Sequence, residues 1–197
     1  MIKVLLVDAD DVLVSQERFS IFLARQVGIS LETTKEFFDG PFQDCIVGKG
    51  DLKQVVYPYL EAWGWNDGVD AFLSLWFERE YVINQELFDY IKEVKKKGIS
   101  CFLATNQEKY RVSYILENMG LNTIFDKAFA SSNLGFKKPN KNFFAKIIEN
   151  LENVKKEEIL FWDDKAENVE VAKLLGIHAE IYISAPDFKA KMSKYIV

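Results

Sequence analysis

Acidic residues gather at two points of the chain in a pattern that could do chemistry. Asp8, Asp10 and Asp11 follow one short apolar run, and Asp163 and Asp164 follow another. Between them in sequence, Thr105 and Asn106 close a third apolar run, and Ser131, Ser132 and Asn133 stand shortly before Lys137 and Lys138. Carboxylates brought together repel one another and raise their own pKa values unless a cation sits among them. A hard divalent ion with oxygen ligands resolves that conflict; Mg²⁺ held by a few carboxylates, waters and a substrate phosphate is the ordinary form. A hydroxyl, an amide and a lysine facing such acids would hold phosphoryl oxygens. A carboxylate can also attack phosphorus, giving an aspartyl-phosphate that water then hydrolyses. Asp8 stands directly at the end of its run, the more rigid position, and Asp10 can face the same space and move a proton. Each feature alone has a plainer reading. Acids after a strand serve as turn residues and helix caps, Thr105 with Asn106 could cap the next helix, and Lys137 and Lys138 could be surface charge. One of Asp163 and Asp164 could cap a helix while the other binds metal.

What would unite these groups is the arrangement of the elements that carry them. Residues 2–7 are a β-branched-rich apolar run ended by acids, which predicts a buried, parallel-type strand. From 16 to 80 the texture changes: stretches 18–28, 51–65 and 69–81 have helical spacing, separated by Gly, Pro and Asp-rich breaks. Beyond this helical block, predicted helices over 84–97, 108–118, 141–151 and 166–175 alternate with predicted strands over 99–104, 127–130, 158–162 and 179–183. Such alternation predicts an α/β fold: a mostly parallel, doubly wound, Rossmann-like sheet with right-handed crossovers and helices on both faces. The helical block is then a small inserted cap over one end of the sheet. The expected organisation is core over 1–14, insertion over 15–83 and the rest of the core over 84–197, with 187–197 as a loosely attached tail or short helix. Ligands of such sheets bind beyond the carboxyl ends of the strands. Every polar group named above follows a predicted strand, so the fold would bring four distant segments to one crevice.

The chain as a whole bounds the reading. Its 197 residues suffice for one sizeable core, or a core plus a small inserted unit. A net charge of -5 leaves no footprint for a nucleic-acid backbone, so any phosphate must be held by local groups. No window approaches ~20 apolar residues, and the N-terminus lacks a basic end followed by an uninterrupted apolar segment. With only Cys45 and Cys101, the expectation is a cytosolic protein in which Cys101 is a buried free thiol. His178 is the only histidine, which argues against zinc built on Cys and His and suits a structural or surface role.

The segments VLLVDADDVL, FLATN, GFKKPN and ILFWDDKAENVEVAKLLGI resemble, in this order and spacing, the four motifs of the haloacid dehalogenase-like superfamily of hydrolases. The resemblance implies a nucleophile at Asp8 and a general acid/base at Asp10. It implies Mg²⁺ held by the Asp8 and Asp164 side chains and the Asp10 main-chain carbonyl, with Asp163 and Asn168 beside the ion or one layer out. Thr105, Asn106 and Lys138 would hold the transferring phosphoryl group; Lys138 is selected over Lys137 because the family's lysine precedes proline. The insertion resembles the helical cap of the first subclass, which closes over the site, excludes water and chooses the substrate. The implied activity is Mg²⁺-dependent hydrolysis of a phosphomonoester, a small sugar phosphate or nucleotide-like metabolite. Two departures stand out. Asp11 and Val12 occupy positions where many members have Gly and Thr, and Asp11 could alter the turn; Asn140 and Lys141 replace a common Asp-Pro pair.

Other activities share parts of this pattern. A phosphomutase has nearly the same core. A 2-haloacid dehalogenase is opposed by Asp10 and by the pair Asp163–Asp164, and a phosphonate hydrolase would need a cap lysine such as Lys49 or Lys53. A non-catalytic binding protein would be free to lose Asp8, Asp10 or Lys138, all of which are present. Trp63, Trp65, Trp76 and Phe77 are spaced for packing between short helices. Trp63 and Trp65, next to the break at Gly64, are the candidates for touching substrate.

Overall fold

The N-terminal apolar run forms β1 (Val4–Val7), buried throughout, in a computed structural model that describes residues 1–15, 17–79 and 82–196. A two-residue strand, β2 (Val14–Ser15), leads into five helices. These are α1 (Phe19–Phe22), continued by a π turn over Leu23–Val27, then α2 (Leu31–Asp39), α3 (Pro41–Ile46), α4 (Leu52–Ala62) and α5 (Gly68–Arg79). Oxygens of Ser30 and Asp51 accept the free N–H groups at the starts of α2 and α4, as helix caps do. The chain returns through β3 (Val82–Ile83), which pairs antiparallel with β2 and forms a stem to the cap. Strands this short show no period and have no counterpart in the sequence reading. Residues 16, 80 and 81 of the expected insertion, and Val197 of the expected tail, lie outside the described residues.

Beyond the stem follow α6 (Gln85–Lys96), β4 (Ser100–Thr105) and α7 (Lys109–Ser113), which continues as a π turn over Tyr114–Asn118. Next come β5 (Lys127–Ala130), a short α8 (Ser131–Leu134) and α9 (Lys141–Asn150). The chain ends with β6 (Ile159–Asp163), α10 (Ala166–Leu174), β7 (His178–Ile181) and α11 (Ala185–Met192). The main sheet has the order β5-β4-β1-β6-β7, with every neighbouring pair parallel. Successive side chains of a strand face opposite ways. Leu5 and Val7 therefore join Leu87, Ile91 and Phe188 on one face, while Val4 and Leu6 join Phe144, Ile147 and Val169 on the other. Burial on both faces is why the central strands read as unbroken apolar runs.

Of the two expectations for 187–197, a loosely attached tail or a short helix, the structure shows the helix. Phe188 and Met192, one helical turn apart on α11, are fully buried, and the Phe188 ring lies 4.2 Å from that of Trp162. The segment is therefore docked on the sheet, not loosely attached. Both cysteines are free and buried; burial pushes the Cys45 thiol up to about 11 and that of Cys101 to about 12, so neither is a reactive thiolate. His178 is exposed at the start of β7, against the Tyr195 ring. Among the described residues, no helix is long and apolar enough to cross a membrane.

The cap has a core of its own, built around Phe37, Leu60, Phe72 and Trp76, onto which Tyr110 and Tyr114 of the main domain pack. Polar contacts pin it further. Ser131 Oγ donates to the Ile46 carbonyl at 2.6 Å, and Lys137 Nζ to Gln43 Oε1 at 2.7 Å. The Tyr110 hydroxyl meets Asp51 at 2.9 Å. At Gly48, with φ of 74°, a Cβ would stand 2.1 Å from the Ser132 carbonyl oxygen, so only glycine lets these two backbones approach.

Asp11 occupies the turn after β1 with φ of 60°, and its N–H donates to the Val14 carbonyl at 2.8 Å. The turn thus keeps the left-handed residue that glycine would supply; Asp is among the few other types that tolerate it. Asp11→Val is expected to lower the unfolding free energy by about 1–2 kcal/mol in urea titrations, while Asp11→Gly lowers it little. An Asp11→Val protein as stable as the parent would contradict this conformation.

Candidate active site

The carboxyl ends of β1, β4 and β6 carry carboxylate and hydroxyl oxygens on neighbouring strands. Asp8 follows β1 directly, fixed by its own N–H on the Trp162 carbonyl at 3.0 Å, while Ala9 N–H donates to Asp8 Oδ1 at 2.8 Å. Thr105 ends β4; its buried hydroxyl has no hydrogen-bond partner among the described residues. Asp163 ends β6 with Asp164 next to it, and carboxylate oxygens of Asp8, Asp163 and Asp164 all lie within 4.8 Å of one another.

Lys138 enters from the loop before α9. Its Nζ lies 2.8 Å from Asp8 Oδ1 and 2.6 Å from Asp163 Oδ2, and all three side chains are almost wholly buried. The lysine is held from behind: Asn106 Oδ1 accepts the Lys138 N–H at 2.8 Å and Asn106 Nδ2 donates to the Lys138 carbonyl at 3.0 Å. Asp163 is held likewise, its Oδ1 accepting from Lys165 N–H and Asn168 Nδ2, each at 2.8 Å.

One ammonium among several acids leaves an excess of negative charge. Burial pushes the Asp8 pKa up to about 7; Lys138 opposes this, and Asp163 and Asp10 add to it. Burial alone would depress Lys138, but attraction by Asp8 and Asp163 outweighs it and raises the pKa above the ordinary 10.5. Asp164 is raised by burial and then by Asp163, and its Oδ1 is buried without a hydrogen-bond partner among the described residues. An all-carboxylate cluster with an orphaned oxygen and surplus charge fits a hard divalent cation.

The profile of haloacid dehalogenase-like hydrolases matches residues 2–176. The chain belongs to that family. A haloacid dehalogenase family enzyme of Bacteroides thetaiotaomicron, solved with magnesium and inorganic phosphate, superposes on this hydrolase with a TM-score of 0.79 at 22% identity, covering 93% of this chain and 95% of that one. The likeness at that identity is one of fold. A sesquiterpene phosphatase of Aspergillus oryzae is 30% identical over 87 residues, 44% of each chain. A drimenol cyclase of Aspergillus calidoustus is 33% identical over 60 residues, 30% of this chain and 11% of that one. The aligned stretches thus span less than half of either curated relative.

Of the residues singled out in the sequence, Asp8, Thr105, Asn106, Lys138, Asp163, Asp164 and Asn168 meet around this cluster. Asp10 lies on its cap side, at a cavity of about 330 Å³ between the hydrolase core and the cap. Trp63 and Trp65 do not line that cavity. Trp63 is packed inside the cap against Phe37 and Phe72, and Trp65 Nε1 donates to the Gly68 carbonyl at 2.8 Å. The tryptophan that does face the cavity is Trp76. Lys53 pairs with Asp70 at 2.6 Å, and neither it nor Lys49 lines the cavity. Gln107 is a residue the sequence reading missed: its Nε2 donates to Asp10 Oδ2 at 2.6 Å. Its only sequence signal is adjacency to Asn106.

A carboxyl group whose pKa is raised by folding favours the protonated folded form. Without metal, Asp8 therefore costs stability as pH rises from near 3.8 through about 7. A divalent cation binds the ionised set and offsets that cost. The gain in Tm from a saturating divalent cation is expected to be small at about pH 5 and to grow through about pH 8. Equal gains at both ends would show that Asp8 takes no part in cation binding.

Proposed function

We propose that this hydrolase cleaves phosphomonoesters with Mg²⁺, through a phosphoryl group carried on Asp8. The observation that carries the reading is the buried Lys138 ammonium 2.8 Å from Asp8 Oδ1, with the Asp10 carboxyl acting on Asp8 and Thr105, at the end of the neighbouring strand, offering a buried hydroxyl with no partner among the described residues. The magnesium and phosphate bound by the Bacteroides enzyme, and the phosphatase activity named for the Aspergillus oryzae protein, point the same way.

An Asp8 oxygen attacks phosphorus, the bond from phosphorus to the ester oxygen breaks, and Asp10 gives its proton to the departing alkoxide. Asp10, now ionised, takes a proton from water as that water attacks the phosphoryl group; inorganic phosphate leaves and Asp8 is restored. Thr105 donates its hydroxyl hydrogen and Lys138 its ammonium hydrogens to phosphoryl oxygens, where charge develops. Asn106 uses both ends of its amide on the Lys138 main chain, so it serves the phosphate by placing that lysine. Mg²⁺, held by Asp8, Asp164 and the Asp10 carbonyl, would neutralise phosphoryl charge and let two anions meet.

Phosphate release should require Mg²⁺ and vanish in Asp8→Asn, with Asp10→Asn slower by about 10²–10⁴-fold. Turnover in metal-stripped protein, or in Asp8→Asn, would refute the scheme. Gln107 acts through Asp10, so its effect depends on the leaving group. Gln107→Leu is expected to lower kcat about tenfold for an alkyl phosphate and little for p-nitrophenyl phosphate, whose anion leaves without a proton. Equal losses on both esters would mark Gln107 as merely structural.

A further inference from the structure

The cavity beside Asp10 has a largely aromatic wall on its cap side, and several of the polar side chains around it bond to protein groups. Its cap side is formed by Phe19, Phe38, Phe42, Ile46, Trp76 and Phe77. Trp76 ties this wall together, its ring centroid 5.0 Å from Phe19, 5.4 Å from Phe38 and 5.3 Å from Phe42.

Several of the polar residues that line the same space have hydrogen bonds to protein groups. Gln43 donates to the Phe38 carbonyl at 2.8 Å and accepts from Lys137 at 2.7 Å. Asn106 has both ends on Lys138, Gln107 donates to Asp10, and Arg111 donates to the Phe77 carbonyl at 3.2 Å. Both Glu108 oxygens accept main-chain N–H groups, those of Tyr110 and Arg111. Arg18, Ser20 and Asp39 also line the space, at its solvent-facing side, Arg18 and Asp39 exposed and Ser20 half-buried. A sugar or nucleoside lying against Phe19, Phe38, Phe42, Ile46, Trp76 and Phe77 would strip water from hydroxyls that these side chains cannot bond. A hydrocarbon entering would gain at every buried methylene.

We propose that the leaving group of this site is an apolar alcohol, a branched or cyclic hydrocarbon, in place of a sugar or nucleoside. The proposal rests on the reading of Asp8 as a nucleophile toward phosphomonoesters and names the class of ester. At ~30 Å³ for a water-sized group, the cavity of about 330 Å³ takes on the order of ten heavy atoms.

The test compares 3,7-dimethyloctyl phosphate with glucose 6-phosphate. Both release a primary alcohol of about a dozen heavy atoms, so leaving-group acidity and bulk are matched and wall chemistry decides. Burying a methylene is worth about fourfold, so kcat/KM should favour the alkyl ester by about 100-fold or more. Phe42→Ala should cut that ratio at least about tenfold. Phe42 is half-buried, so this variant serves where Trp76→Ala fails to fold. Glucose 6-phosphate or AMP turned over as well as the alkyl ester would overturn the proposal; if that release still vanished in Asp8→Asn, the phosphatase reading would stand. Should no ester be hydrolysed, binding decides separately. Calorimetry with 3,7-dimethyloctanol and with glucose should show saturable binding of the alcohol alone, weakened about tenfold by Phe42→Ala. Binding of glucose, or alcohol binding indifferent to Phe42→Ala, would overturn the proposal.

Discussion

The buried ammonium of Lys138 between the carboxylates of Asp8 and Asp163 is the contact on which the rest of the arrangement depends. Charges taken out of water are costly, and their mutual attraction repays that only with good geometry and further hydrogen bonds. Here the further bonds come from Asn106, Asn168 and two main-chain N–H groups. They come from three stretches of chain, after β1, after β4 and after β6, so the triad holds only when these strands and the loop before α9 are in register. Parallel pairing on both sides of β1 supplies that register, and the crossover helices keep both faces of the sheet dry. The arrangement is over-supplied with acid by design of position: one lysine cannot neutralise Asp8, Asp163 and Asp164 together, and the surplus is what suits the site to a cation.

Much of this was legible in the sequence because it is written locally. Central strands of a parallel sheet are unbroken apolar runs, and Asp8, Thr105 and Asp164 stand at or just past their ends, so these candidates could be found without knowing the packing. Lys138 stands well past β5 and is singled out from Lys137 only by resemblance to a family motif. The cap was legible only as helical. Which aromatic faces the cavity depends on how five short helices lie against one another, and Trp63 and Trp76 are both spaced like core residues. The structure puts Trp63 inside the cap and Trp76 at the cavity. Lys137 is the exposed surface charge the sequence suggested, and its bond to Gln43, 94 residues away, could not be read from the chain. Gln107 could not be told from any other polar residue after a strand until its contact with Asp10, 97 residues distant, was in view. The closing helix was different. Phe188 and Met192 lie one helical turn apart, a spacing visible in the sequence that marks a buried face.

Cap and core meet through contacts of unequal kind. The close approach of Gly48 to Ser132 and the Ser131 bond to Ile46 fix how near the cap can come. The Lys137–Gln43 and Tyr110–Asp51 bonds are more exposed, and bonds of that kind can be exchanged for water at little cost. The aromatic wall is thereby set at a distance from Asp10 fixed by backbone contact, with the weaker bonds orienting it.

Every group proposed to handle phosphorus comes from the core, and the aromatic wall comes from the cap. A lineage carrying this fold can therefore drift in what it recognises while selection keeps its reaction intact. The freedom is uneven. Phe19 and Trp76 hold up the cap as well as facing the cavity, so their loss would be purged with the fold. Phe38 and Phe42 are only half-buried, and they are the positions through which descendants of this chain could acquire a new diet at least risk.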